Sequence, residues 1–199
     1  MSDLVESYEN LVTKVHVCLT FYLRHCGSVP FLMKVDDDVS VDLDRLFDTW
    51  DKSEMTTEKL FCALLNNREP IRDSSSKWYV PKGKWPPRLY PAYCNGPLYI
   101  MGNVAVKRIL QQSMRLPLFI MEDVFYTGFV AGSLGIKIVD WKDKIQNHLQ
   151  YEQVEVPVCG PNSSAITVAH FPLSTPEEMM KGSLKLKRTI CFPFPWIKE

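Results

Sequence analysis

Apolar positions near the start of the chain recur at helical spacing. Val5, Tyr8, Val12, Val15, Leu19 and Tyr22 share one face, which predicts an amphipathic helix over residues 4–26 ended by Gly27. The pattern then changes. PFLMKV at 30–35 is a short continuous apolar run, which predicts a buried strand, and it stops at Asp36-Asp37-Asp38. A second helix is predicted from Asp42 to Trp50, and LFCALL at 60–65 reads as another buried strand. Residues 66–97 are rich in Pro, Trp, Tyr and Lys, which predicts a long ordered loop holding one or two short strands. Helices follow over 103–113 and from Glu122 or Asp123 to Gly132, then a strand at 136–140. A strand at Ala165–Val168 and a short helix near Glu177 complete the reading. Strands alternating with helices point to an α/β fold.

Composition narrows the class. A chain of 199 residues suits one domain, residues 1–199, and can bury roughly 70% of its extended surface. Lys+Arg and Asp+Glu are each 23, so net charge is zero, which argues against a nucleic-acid partner. No run of about 18 apolar residues is present, and MSDLVESYEN lacks the basic and apolar regions of a signal peptide. Taken alone, this reads as a cytosolic protein. None of the six cysteines forms a CxxC pair. Cys18 and Cys26 lie eight residues apart on the first predicted helix. That is roughly 12 Å along its axis, too far to bond each other. An even count permits disulfides, and buried free thiols fit the spacing equally well.

Four constellations carry candidate chemistry. Asp36-Asp37-Asp38 ends an apolar strand, where α/β sheets bind ligands; three adjacent carboxylates suit a hard divalent ion, though a solvated acidic turn would read the same. Glu122-Asp123 follows the apolar run LPLFIM. It reads as a helix cap or as a general base whose pKa is raised by desolvation. Tyr90 to Gly96, YPAYCNG, reads as a rigid loop wall against a flat ligand or as a packed turn. His170 follows the apolar run AITVA and is either structural or a metal ligand.

Their order adds information that none holds singly. ESYENLVTK, from Glu6 to Lys14, resembles the D-x-Y-x-N-L-T-x-K segment of the β-1,3-galactosyltransferase and N-acetylglucosaminyltransferase family, the hexosyltransferases of glycosyltransferase family 31. FLMKVDDDVSV resembles its F-x-x-K-x-D-D-D-x-F-V core. Pro70-Ile71-Arg72, Lys77-Trp78-Tyr79-Val80, Tyr90 to Gly96, Glu122-Asp123-Val124, and His170 with Pro172 resemble its later motifs, in the same order. The resemblance spans roughly residues 3–180.

It implies a GT-A type, Rossmann-like glycosyltransferase domain lacking its N-terminal strands. It also implies an inverting transferase that moves a hexose from a UDP-sugar to a glycan on a glycoprotein or glycolipid. Asp38 would be the first ligand of Mn²⁺ or Mg²⁺, assisted by Asp36 and Asp37, with His170 as a later ligand. Asp123 would be the base. Lys77, Trp78, Tyr93, Gly96 and Glu122 would contact donor or acceptor. Residence in the Golgi lumen follows from the resemblance, and full-length relatives would carry a membrane anchor and first strands that this chain lacks. A bridge involving Cys94 fits that residence. Asn162-Ser163-Ser164 is a glycosylation sequon. The chain departs from the family at Val12, at Ser40 and at Pro97-Leu98, where the family has Thr, an aromatic and small residues. The alternative reading is a truncated, non-catalytic relative that binds a partner or a glycan.

Overall fold

The computed structural model describes residues 5, 7, 8, 10–147, 159, 165 and 167–191. Glu6, the strand candidate's Ile166 and the sequon at 162–164 lie outside the described residues. The chain is mixed α/β and divides into two compact units. The first is built from residues 1–34 and 56–140, the second from 35–55 and 141–199.

In the first unit a helix, α1 (Leu11–His25), buries Val12, Val15, Leu19 and Tyr22, the predicted face. It begins later than the apolar period suggests. The Asn10 side-chain amide donates to the Val5 carbonyl at 2.9 Å and its N–H to Ser7, so Asn10 closes a turn ahead of Leu11 instead. Strand β1 (Phe31–Val35) follows and is half-buried, not buried as its apolar run suggests, because it lies at the sheet edge. Strand β3 (Leu60–Leu65) has the predicted bounds. It pairs antiparallel with β4 (Tyr93–Gly102) and parallel with β5 (Ile138–Asp140), in the sheet order β1-β4-β3-β5. Helix α3 (Asn103–Ser113) also matches its prediction and buries Ala105, Val106, Ile109 and Leu110.

Residues 93–97 were expected in a loop and instead open β4. Gly96 and Pro97 conceal the strand, since both punctuate a strand pattern. The ladder tolerates them through a bulge. Cys62 stands opposite Tyr99 and Leu64 opposite Cys94, so β4 takes five residue steps where β3 takes two. The excess falls on Asn95–Leu98, where Pro97 has no N–H to contribute. A disulfide joins Cys62 to Cys94 across the start of this bulge.

The predicted helix from 122 forms as α4, a π-helical stretch, Val124–Val130, continued by an α-helical turn, Ala131–Ser133. It is buried along most of its length. Tyr126 donates its hydroxyl to the Val12 carbonyl of α1 at 2.9 Å. A β-carbon on Gly128 would stand 3.0 Å from the Tyr93 β-carbon, so glycine lets α4 approach the start of β4 closely.

The second unit holds strands β2 (Ser40–Val41), β6 (Ile145–Asn147) and β7 (Ala169–Phe171) in the order β2-β7-β6. The late ladder lies at 169–171 and not at 165–168. Val168 still donates to Lys144 and accepts from Asp42, as a lead-in to β7. Helix α2 (Leu43–Thr49) is capped by Asp42, whose carboxylate accepts the Arg45 N–H at 3.1 Å. Trp50 and Trp141 pack edge to face at 5.0 Å. The helix expected near Glu177 runs over Pro176–Arg188, α5, and opens with a Thr175–Glu178 capping box. A second disulfide joins Cys159 to Cys191, while Cys18 and Cys26 remain free thiols.

The Cys62–Cys94 bond closes a span of 32 residues. Its loss through a double Cys62→Ser/Cys94→Ser substitution is expected to lower unfolding free energy by about 2–4 kcal/mol. Urea denaturation checks this, with Cys18→Ser as the control that leaves the midpoint in place.

Candidate functional site

Glu122 and Asp123 sit at the head of α4 and have different surroundings. Glu122 is only 3% exposed. Its Oε2 accepts the Tyr99 hydroxyl at 2.8 Å, and its Oε1 lies 3.3 Å from the Lys34 ammonium. Lys34 reaches across from β1 and also donates to the Gly96 carbonyl at 2.6 Å. Burial pushes the Glu122 carboxyl up to about 7; Lys34 opposes that rise, and the neighbouring Asp123 charge adds to it.

Asp123 is half-buried. Its Oδ1 accepts the Val124 N–H at 2.8 Å, and its carbonyl accepts the Thr127 hydroxyl at 2.5 Å. Burial raises its carboxyl to about 6, against the Val124 N–H, the Lys34 charge and the Gly96 N–H. A carboxylate that keeps solvent access and titrates near neutrality has the proton affinity of a general base. A β-carbon on Gly96 would lie 3.1 Å from the Asp123 Oδ2, so the bulge of β4 passes directly over this carboxylate.

Aromatic rings line the same unit. Tyr93 is buried, and burial together with the Asp123 charge raises its hydroxyl well above the usual phenol range. The Tyr90 hydroxyl is pushed up to about 12, mainly by burial. Trp85 stacks on Phe129 of α4 at 4.4 Å, Phe119 packs edge-on against Trp85, and Tyr90 packs edge-on against Phe119. Arg72 ties the loop together by donating to the Val80 and Trp85 carbonyls at 2.7 and 2.6 Å. The structure thus brings Tyr93, Gly96, Glu122 and Asp123 together. Lys77 and Trp78 are exposed on the loop and contact each other, the ammonium 4.6 Å from the ring centroid. Among the described contacts none joins them to Asp123.

Asp36, Asp37 and Asp38 belong to the second unit, in a turn between β1 and β2. Asp37 is exposed; Asp36 and Asp38 are half-buried. The Asp38 carbonyl accepts the Leu173 N–H at 2.8 Å, and Ser40 pairs with His170 across β2 and β7. The backbone therefore runs the His170 segment alongside the acidic turn. Among the described residues no three His, Cys, Asp or Glu side chains are gathered as a ready metal cage. Carboxylate oxygens suit Mg²⁺ or Mn²⁺, which keep water and substrate phosphates in their shells and need only one or two protein carboxylates. The donor set of the turn fits such an ion.

Lys34, Tyr99 and Thr127 had no assigned role in the sequence reading. A signal for Lys34 was present, since a lysine inside an apolar strand must be paired when buried. Tyr99 and Thr127 gave none, because their partners depend on the bulge and on the π-helical turn.

Comparison with known proteins bears on the whole constellation. The family model described as Galactosyltransferase matches residues 1–142. Beta-1,3-galactosyltransferase 1 of Homo sapiens, like that of Mus musculus, is 32% identical over 137 residues, covering 68% of this chain and 42% of the relative. Beta-1,3-galactosyltransferase 5 of Homo sapiens is 31% identical over 136 residues, covering 68% of this chain and 44% of the relative. The chain thus spans less than half the length of these relatives. Lys34, the acidic turn, Gly96, Glu122 and Asp123 fall inside the matched residues; His170 lies beyond them.

The raised carboxyl of Glu122 makes stability depend on pH. Its value is 4.5 when unperturbed and about 7 in the fold, so between these the native state holds the extra proton. Stability from this group is full below pH 4.5 and is lost as pH rises through 7. Urea midpoints measured from pH 4 to 8 are expected to fall more steeply in the wild type than in Glu122→Gln, which has no proton to lose.

Proposed function

We propose that this chain, which belongs to the galactosyltransferase family, carries the catalytic part of an inverting, metal-dependent hexosyltransferase. It moves galactose or an N-acetylhexosamine from a UDP-sugar to a glycan hydroxyl of a glycoprotein or glycolipid. The β-1,3 linkage is carried over from the names of the relatives. The observation that carries the reading is the Asp123 carboxylate, half-buried, raised to about 6 and pressed against the Gly96 bulge. An acceptor hydroxyl is a weak nucleophile. Asp123 takes its proton as the oxygen bonds to the anomeric carbon, and the bond from that carbon to the diphosphate breaks, releasing UDP.

Asp38, with Asp36, Asp37 and His170, would hold Mn²⁺ or Mg²⁺, which when bound offsets charge on the departing diphosphate. Tyr93 and Gly96 stand beside Asp123 and are assigned to donor or acceptor contacts, as are the exposed loop residues Lys77 and Trp78. A GT-A type domain agrees with the mixed α/β architecture. Residence in the Golgi lumen is supported by the two disulfides, since such bonds persist in oxidising compartments. No helix among the described residues is long and apolar enough to cross a membrane.

Two measurements test this. UDP titrated by calorimetry is expected to bind only with Mn²⁺ present, and binding should disappear in Asp38→Ala. Transfer from a UDP-hexose is expected to fall by at least about 100-fold in Asp123→Asn with the fold intact. Undiminished transfer by that variant would refute Asp123 as the base.

A further inference from the structure

We propose that Lys34 and Glu122 are positioning residues, a buried ion pair that fixes the Asn95–Leu98 bulge, and with it Gly96, against the Asp123 carboxylate without touching sugar or acceptor. The proposal rests on the reading of Asp123 as the base and gives Glu122 a different part from the substrate contact expected of it.

The bulge is tied down along its length. At its start, Cys94 is bonded to Cys62, and its N–H donates to the Thr127 hydroxyl at 2.8 Å. At its middle, the Gly96 carbonyl accepts from Lys34 at 2.6 Å. At its end, where the ladder resumes, the Tyr99 hydroxyl donates to Glu122 at 2.8 Å. Lys34 and Glu122 supply the last two ties and are joined to each other at 3.3 Å. One ion pair therefore sets the height of Gly96, whose missing β-carbon would lie 3.1 Å from the Asp123 Oδ2. Nothing larger fits without moving that oxygen. Glu122 is 3% exposed and uses one oxygen for Tyr99 and the other for Lys34, which leaves it no face for a substrate.

The pair also shapes the field at Asp123. The groups facing that carboxylate are Glu122 beside it, Lys34 of β1, Tyr93 and Tyr99 of β4 and Tyr90 of the loop. Glu122 in turn faces Tyr99 and Tyr126. Asp123 gives up its proton at about 6, before Glu122 at about 7, so Glu122 is still largely neutral as Asp123 titrates; the Lys34 charge is the part of the pair that eases ionisation of Asp123. Buried ion pairs contribute little net stability when both partners are removed together, so the role in positioning separates from a role in folding.

The test compares kcat, KM for the UDP-sugar and pH profiles of the wild type, Glu122→Gln, the double Lys34→Met/Glu122→Gln and Gly96→Ala. A ¹³C titration of the Asp123 carboxyl, assigned by its absence in Asp123→Asn, runs in parallel and needs no turnover. The double variant and Gly96→Ala are expected to lose about 10- to 100-fold in kcat, with KM within about threefold of wild type. The double variant, which loses the Lys34 charge, is expected to move both the acid limb of kcat/KM and the Asp123 midpoint to higher pH, while Glu122→Gln leaves the midpoint near that of the wild type. Wild-type kcat in a folded double variant or in Gly96→Ala overturns the proposal, as does an unmoved Asp123 midpoint in the double variant. Full transfer by Asp123→Asn would instead remove the base reading, and the carboxyl titration would still report on the pair.

Discussion

Two adjacent carboxylates cannot both be carried into an apolar interior as anions, because each loses hydration and each raises the cost of ionising the other. The first unit meets this constraint asymmetrically. Glu122 goes inside, where Lys34 and Tyr99 receive it. Asp123 stays partly in solvent, with backbone N–H groups and the Lys34 charge tempering its proton affinity. The edge strand β1 must then carry a lysine, β4 must bend out to meet it, and α4 must begin where it does. The π-helical geometry of α4 serves the same arrangement, since Thr127 turns back to hold both the Asp123 carbonyl and the Cys94 N–H.

Much of this was legible in the order of residues, for reasons that can be named. Strand β3 and helix α3 have the predicted bounds because an unbroken apolar run and a strong helical period admit few other solutions. The acidic pair announced itself because charge directly after LPLFIM needs an explanation. Strand β4 stayed hidden because Gly96 and Pro97, the residues that make its bulge possible, are those that usually end a strand. The start of α1 was placed too early because Val5 and Tyr8 keep the helical period, while the turn before Leu11 is set by the Asn10 side chain, which periodicity does not register. Cysteine pairing was undecidable from spacing. Cys62 and Cys94 meet only because the bulge shifts their register.

The acidic turn and the Asp123 base candidate belong to different compact units, and each is explained by its own neighbours. The turn is held by β2 and by backbone bonds to the segment that contains His170. The carboxylate of Asp123 is held by β1, β4 and α4. Family membership rests on residues 1–142 and so covers the turn and Asp123 alike, while the pairing of β2 with β7 extends the same local architecture to a stretch that the family comparison leaves unmatched.

The bond between Cys62 and Cys94 also imposes an order on how the polypeptide matures. A chain emerging N-terminus first presents Cys18, Cys26 and Cys62 to oxidants before Cys94 has been made. Once α1 has formed, the first two sit more than two turns apart on one helix and are out of each other's reach. The early errors open to this stretch are then bridges from Cys62 back to Cys18 or Cys26. Correcting either requires a thiolate attack that frees Cys62 after β4 has been synthesised. The geometry around Gly96 and Asp123 is therefore decided as much by when Cys94 arrives as by the residues that surround it.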